Sequence, residues 1–189
     1  VVLIGSSVIR EKVGMTSPQL FRDVTYNMKK FFRGNTYILD VDEKAGYGHL
    51  NDLPEIPELA VVMLPAEQSL VQMEECAKRG VKAFVMITGG YDDEQRKRLL
   101  KLKREHGIRI LGPNTIMGVI NTANGLNTTF ERDVMPERGS ISVISQSGGD
   151  KIDINDVDLL KYLNEDHETK VICLYMEGIE NGREFIQVA

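Results

Sequence analysis

Five places in this sequence set small, flexible residues and hydrogen-bond donors directly after a β-rich run: Gly5-Ser6-Ser7, the polar loop from Asp40 to Gly48, Pro65-Ala66, Thr88-Gly89-Gly90 and Gly112-Pro113-Asn114. Glycines let backbone N–H groups approach an anion, and serine and threonine hydroxyls add donors. The chemistry open to such tips is the binding of a phosphorylated ligand. One tip alone says little, because strand-to-helix turns favour these residues on conformational grounds. Their succession says more, since in a doubly wound sheet ligands bind beyond the carboxyl ends of the strands, near the reversal in strand order.

The first tip is not a dinucleotide fingerprint. Gly5 is followed by no glycine until Gly14, with Ser6, Ser7, Arg10 and Lys12 between, where G-x-G-x-x-G is required. Cations in that loop suit a ligand with a phosphate beyond the pyrophosphate. Asp40 closes the second β-rich run, where an acid would hold a ribose hydroxyl, so an NAD site stays open as the second alternative.

These tips need a parallel α/β scaffold, and the sequence alternates accordingly. Strands are predicted at Val1–Gly5, Thr36–Leu39, Leu59–Leu64, Ala83–Ile87 and Ile108–Leu111. Helices are predicted from Ser17-Pro18, as N-cap and N1, to about Phe32, over Glu67–Arg79 with Gly80 as C-cap, and from Asp92-Asp93-Glu94 to His106. The cluster Arg96, Lys97, Arg98, Lys101, Lys103 and Arg104 reads as a solvated helix face. Residues 1–114 form a first domain, 115–139 a connection, and 140–189 part of a second α/β domain. That second part is predicted as strand Ser140–Ile144, helix Asp153–Asn164, strand Val171–Met176 and helix Gly182–Ala189. A parallel crossover usually has its own helix. The step from Ser145-Gln146-Ser147-Gly148 to the next helix looks too short for one, so a segment is expected to be missing near 148–151, and another after Ala189.

Bulk properties set the class. The chain has 189 residues, 42% hydrophobic and 27% charged, with a net charge of −5. That is ordinary for a globular core and argues against a nucleic-acid surface. No apolar run approaches the ~18 residues of a membrane span. Cys76 and Cys173 read as buried small hydrophobes in a reducing compartment. His49, His106 and His167 are scattered, and no metal-ligand spacing occurs. No leader segment is in view, and the cytoplasm is the default location.

Taken in order, the motifs resemble one family. Val1–Gly14 (Val-Val-Leu-Ile-Gly-Ser-Ser, then Lys-Val-Gly) resembles the first loop of NDP-forming acyl-CoA synthetases, such as ADP-forming acetate–CoA ligases, which are relatives of the succinyl-CoA synthetase α subunit. The Gly-Pro-Asn junction in Arg109–Thr122, Gly125–Phe130, Ile144-Ser-Gln-Ser-Gly148, Leu159–Leu163 and Thr169–Ile179 are similar to family segments too, so the resemblance spans nearly the whole chain. It implies a Rossmann-like CoA-binding domain followed by a flavodoxin-like α/β domain, incomplete here. The implied reaction interconverts acyl-CoA, ADP or GDP and phosphate with acid, CoA and ATP or GTP, through an acyl phosphate and a phosphohistidine lying outside this chain.

Carried over by position, the resemblance implies coenzyme A contacts from Gly5, Ser6, Ser7, Lys12, Gly14, Lys44, Pro65, Ala66, Ile87, Thr88 and Gly89. It implies phosphoryl-binding backbone donors at Ser145, Gln146, Ser147 and Gly148, and a glutamate, Glu177, that holds the phosphohistidine. ATP or ADP and Mg would bind an ATP-grasp subunit or fused domain. Partners would be CoA and a small carboxylic acid, with assembly into an oligomer and neither nucleic acid nor membrane. The family's second strand ends Val-Asn-Pro-Lys, whereas this one reads Leu39-Asp40-Val41-Asp42. Two carboxylates beside a phosphate-rich ligand are unfavourable unless Lys44 compensates. That departure keeps a second function class open, a non-catalytic CoA-binding regulatory module.

Overall fold

A computed structural model describes residues 1–8, 17–146, 152–179 and 181–189. Strands β1 (Val2–Gly5), β2 (Tyr37–Asp40), β3 (Leu59–Val62), β4 (Ala83–Met86) and β5 (Arg109–Leu111) form a parallel sheet in the order β2-β1-β3-β4-β5. The order reverses between β1 and β3, which sets the switch point there. Val2, Leu3 and Ile4 are all fully buried, as expected for a parallel strand covered on both faces.

Helix α1 (Pro18–Phe31) starts where the Ser17 hydroxyl accepts from Leu20 N at 3.0 Å, with Pro18 at its first position. Helix α2 (Ala66–Arg79) ends on Gly80, whose φ of 108° closes the last turn. Helix α3 (Asp93–His106) opens with a capping box between Asp92 and Gln95. One face of the sheet packs Leu50 and Leu53 with Leu70, Met73 and Cys76 of α2 and Leu99 and Leu102 of α3. The other packs Leu20, Phe21, Val24 and Met28 of α1, with Val119, Leu126 and Phe130 against them.

That second layer moves a boundary. Residues after 114 do not simply connect: a small hairpin, β6 (Ile120–Asn121) and β7 (Leu126–Asn127), lies against α1. The next residues are clasped to the helix. The buried Asn27 amide donates to Thr129 O at 3.0 Å and Glu131 O at 2.9 Å, and accepts from Asp133 N at 2.8 Å. The first unit therefore reaches past 130. Irregular, Asn-rich sequence hid this, because its order comes from long-range contacts with α1.

The second unit is β8 (Ile141–Ser145), α4 (Asp156–Glu165), β9 (Val171–Tyr175) and α5 (Gly182–Val188). β8 and β9 pair in parallel, and α4 is the crossover between them. The stretch 148–151, where a missing segment was expected, lies wholly outside the described residues. α4 also starts later than expected. Asn155 is its N-cap, and residues 152–154 run along the edge of β5 instead, with Ile152 N on Gly112 O at 3.4 Å and Ile154 N on Ile110 O at 3.1 Å. Between them the nearly buried Asp153 carboxylate takes Lys103 Nζ at 2.6 Å, Arg109 Nε at 2.9 Å and Ile110 N at 2.8 Å. This clamp joins the two units and covers a sheet edge.

The cysteines differ from each other. Cys76 is buried, and burial pushes its thiol up to about 12, whereas Cys173 is exposed on β9, contrary to expectation. In the folded protein one thiol should therefore react rapidly with a disulfide reagent, and the second only after denaturant is added.

Burial alone would raise the Asp153 carboxyl, but Lys103, the Ile110 N–H and Arg109 outweigh it and hold it below its ordinary value. A carboxylate depressed in the folded state stabilises above its unfolded value of about 4, and that contribution is lost as pH falls through the folded value. Asp153→Ala should cost about 2–3 kcal/mol in urea denaturation at pH 7. The gap between variant and parent should close on acidification.

Candidate functional site

The ladder continues past the strand ends and brings the tips onto one rim. Val41 N bonds Gly5 O at 3.0 Å, Met63 N bonds Ile4 O at 2.8 Å, Ile87 N bonds Val62 O at 3.0 Å, and Asn114 N bonds Thr88 O at 3.0 Å. Gly5, Ser6, Ser7, Pro65, Ala66, Ile87, Thr88 and Gly89 thus share the carboxyl edge of the sheet, with Lys44 exposed in the loop after β2. Lys12 and Gly14 lie outside the described residues.

Two glycines on this rim are sterically required. A Cβ on Gly5 would stand 2.3 Å from the Phe21 ring, so the strand-to-loop turn is pressed against α1. A Cβ on Gly89 would meet the Asn114 side-chain oxygen at 2.6 Å. The Thr88 side chain is a brace: its buried hydroxyl donates to Leu64 O at 2.6 Å, beside Ser69 Oγ on the same carbonyl at 2.8 Å. It ties the ends of β3 and β4 just before Pro65 starts α2, so the hydroxyl is not directed at a ligand.

The first loop is organised by carboxylates. Asp40, fully buried, accepts from Ser7 N at 3.2 Å and Asp42 N at 3.1 Å on one oxygen, and from the Ser7 hydroxyl at 2.6 Å on the other. Burial works to raise the Asp40 carboxyl, but the Ser7 hydroxyl and the N–H groups of Asp42, Ser7 and Lys44 outweigh it and keep it below its ordinary value. Its oxygens are occupied by its own chain, which removes the ribose anchor that the NAD alternative needed. The Ser6 hydroxyl donates to Asp42 and accepts from Val8 N at 3.2 Å. Both serine hydroxyls therefore spend their protons on carboxylates, a use that their place in the sequence did not reveal.

Beside this loop lies a groove of about 320 Å³ lined by Val41, Asp42, Gln68, Val71 and Gln72. Gln68, Val71 and Gln72 had not been singled out, although their i, i+3, i+4 spacing on α2, with Val71 46% exposed, marks one helix face. Two apolar walls with two amides and a carboxylate suit a flat, polar-edged group. No helix among the described residues is long and apolar enough to cross a membrane, and no group of three or more His, Cys, Asp or Glu among them could hold a metal.

The second cluster is at the ends of β8 and β9. Gln146 N bonds Tyr175 O at 2.9 Å, so this N–H is not a free donor for a phosphoryl group. The Gln146 side chain instead accepts from Glu177 N at 2.7 Å and Gly178 N at 3.1 Å, and donates to Gly178 O at 2.9 Å and to Asp156. Ser145 and Glu177 are exposed at the same end, and Ser147 and Gly148 lie outside the described residues.

Residues 1–121 match the CoA binding domain family, and residues 146–189 match the succinyl-CoA ligase like flavodoxin domain. The chain belongs to the CoA binding domain family. It is 33% identical to acetate–CoA ligase [ADP-forming] II of Archaeoglobus fulgidus, over all of this chain and 32% of the relative. It is 30% identical to the α subunit of acetate–CoA ligase [ADP-forming] II of Pyrococcus furiosus, over all of this chain and 47% of the relative. In structure it superposes with a TM-score of 0.80, at 30% identity, on the dinucleotide-forming acetyl-coenzyme A synthetase 1 of Ca. Korarchaeum cryptofilum in complex with phosphate and ADP, over 99% of this chain and 46% of that one. The chain thus spans a third to a half of the length of these relatives. The Archaeoglobus alignment runs over 226 positions against 189 residues here, so the relative carries residues within the aligned region that this chain does not.

Asp40→Ala would strip the acceptor from the Ser7 hydroxyl and from two loop N–H groups at once. We expect a loss of about 2–3 kcal/mol in urea denaturation, with faster amide exchange at Ser7 and Asp42.

Proposed function

We propose that this chain is the acyl- and CoA-handling part of an NDP-forming acyl-CoA synthetase. The observation that carries this reading is the order of two matches in one chain: a CoA binding domain, then a succinyl-CoA ligase like flavodoxin domain. The reaction would interconvert acyl-CoA, NDP and phosphate with acid, CoA and NTP. The phosphorylated histidine would lie outside these residues. ATP or ADP and Mg would be bound by an ATP-grasp domain, fused or on a second subunit, and the assembly would be cytoplasmic and oligomeric.

The rim fits coenzyme A in its parts. The first turn of α2, with no side-chain cap from Pro65, offers N–H groups to a phosphate. The groove between Val41 and Val71 suits the nucleoside end. Lys44 would supply the cation beside Asp42. Coenzyme A brings the thiol that becomes acylated; the protein's part is to hold it toward the second unit. There Glu177 would hold the phosphohistidine imidazole by a charge-assisted hydrogen bond.

One observation favours a second reading, a regulatory CoA-binding module: the Ser6 and Ser7 hydroxyl protons already go to Asp42 and Asp40. Titration calorimetry separates the possibilities. Coenzyme A should bind with micromolar affinity and NADH not at all, and Asp42→Asn should tighten CoA about tenfold by removing a negative charge from the groove. Preferential NADH binding would overturn the assignment, and CoA binding by a full-length protein inert in acyl-CoA synthesis would favour the regulatory module.

A further inference from the structure

The Gln146 side chain uses its whole hydrogen-bonding capacity on the loop at 177–178 and on the first residue of α4. A primary amide has two donors and one oxygen with two lone pairs. Here the oxygen takes Glu177 N at 2.7 Å and Gly178 N at 3.1 Å, while the nitrogen gives to Gly178 O at 2.9 Å and to the Asp156 carboxylate. Gln146 is 7% exposed and Asp156 8%, so these bonds are made away from water, where an unmade one is costly. The backbone of residues 177–178 is gripped at three points, while the Glu177 side chain stays exposed.

The grip is anchored in turn. Asp156 is the first residue of α4, directly after the Asn155 cap, whose side chain takes Asp158 N at 3.1 Å. Just upstream, residues 152–154 are bonded to the edge of β5, and Asp153 is clamped by Lys103 and Arg109. A run of direct contacts therefore leads from the first unit, through the start of α4, to the loop that carries Glu177.

We propose that Gln146 and Asp156 are positioning residues that set the place of Glu177 relative to the first, CoA-binding unit. This rests on the reading of Glu177 as the partner of the phosphohistidine. Glutamine alone meets the demands of the position. Glutamate would face the Asp156 carboxylate and could give nothing to Gly178 O, and asparagine is one methylene too short to reach both.

A role confined to holding β8 to β9 would affect stability alone, so the test reads turnover. In acyl-CoA synthesis by the full-length protein, Gln146→Glu should lower kcat about 100-fold, as expected for a misplaced reacting group, with the KM for CoA unchanged. Adding Asp156→Asn, which restores a donor facing the new carboxylate, should recover at least about tenfold of that loss. An unchanged kcat in Gln146→Glu, or a loss that Asp156→Asn fails to recover, overturns the proposal. Glu177→Gln is the control. If it leaves turnover intact, the reading of Glu177 falls and takes the proposal with it; if it abolishes turnover while Gln146→Glu does not, only the positioning role falls. Should Gln146→Glu lose CoA binding and so prove misfolded, Gln146→Ala decides by amide exchange: unchanged protection at Glu177 and Gly178 overturns the proposal, and selective loss there supports it.

Discussion

A parallel sheet delivers the carboxyl ends of all its strands to one rim, and the site in this protein depends on that constraint. Each crossover begins at that rim, so the residues that turn the chain from strand to helix are the same residues that face a ligand. Their sizes are set by packing as much as by binding. Gly5 is small because Phe21 of α1 lies against it, and Gly89 because Asn114 does. Close packing of the chain onto these two turns therefore accounts for both glycines without a ligand.

Charge on the rim is managed by hydrogen bonds. Asp40 would be an intolerable buried charge if bare, yet donors from Ser7, Asp42 and Lys44 make its ionised form the stable one. The carboxylate then works as the organising centre of the first loop. The consequence is that the Ser6 and Ser7 hydroxyls donate to carboxylates of their own chain. Asp153 shows the same economy at the joint between the units, where one buried carboxylate satisfies a sheet edge, a lysine and an arginine.

The second unit leaves much of itself open. Ile141, Val143, Val171 and Tyr175 are more than half exposed on a two-stranded sheet, while α4 packs against β8 with Val157 and Leu160 buried. Two parallel strands and a crossover helix are too little to bury both faces of a sheet. That agrees with a chain covering only part of its relatives' length.

The alternation of apolar runs with capped helices was enough to reveal the parallel α/β layout, because strand and helix periods, Ser17-Pro18, Gly80 and the Asp92 cap are local signals. The rim tips were legible for the same reason, and the ordered motifs carried the family resemblance. Side-chain use was not. That Asp40 would be saturated by Ser7, that Thr88 would bond Leu64 O, that Gln146 would grip Glu177 and that 115–133 would pack on α1 all depend on partners 24 to more than 100 residues away. Local sequence specifies backbone conformation through sterics and capping. Where a polar side chain spends its hydrogen bonds is decided only when the fold brings distant acceptors within about 3 Å.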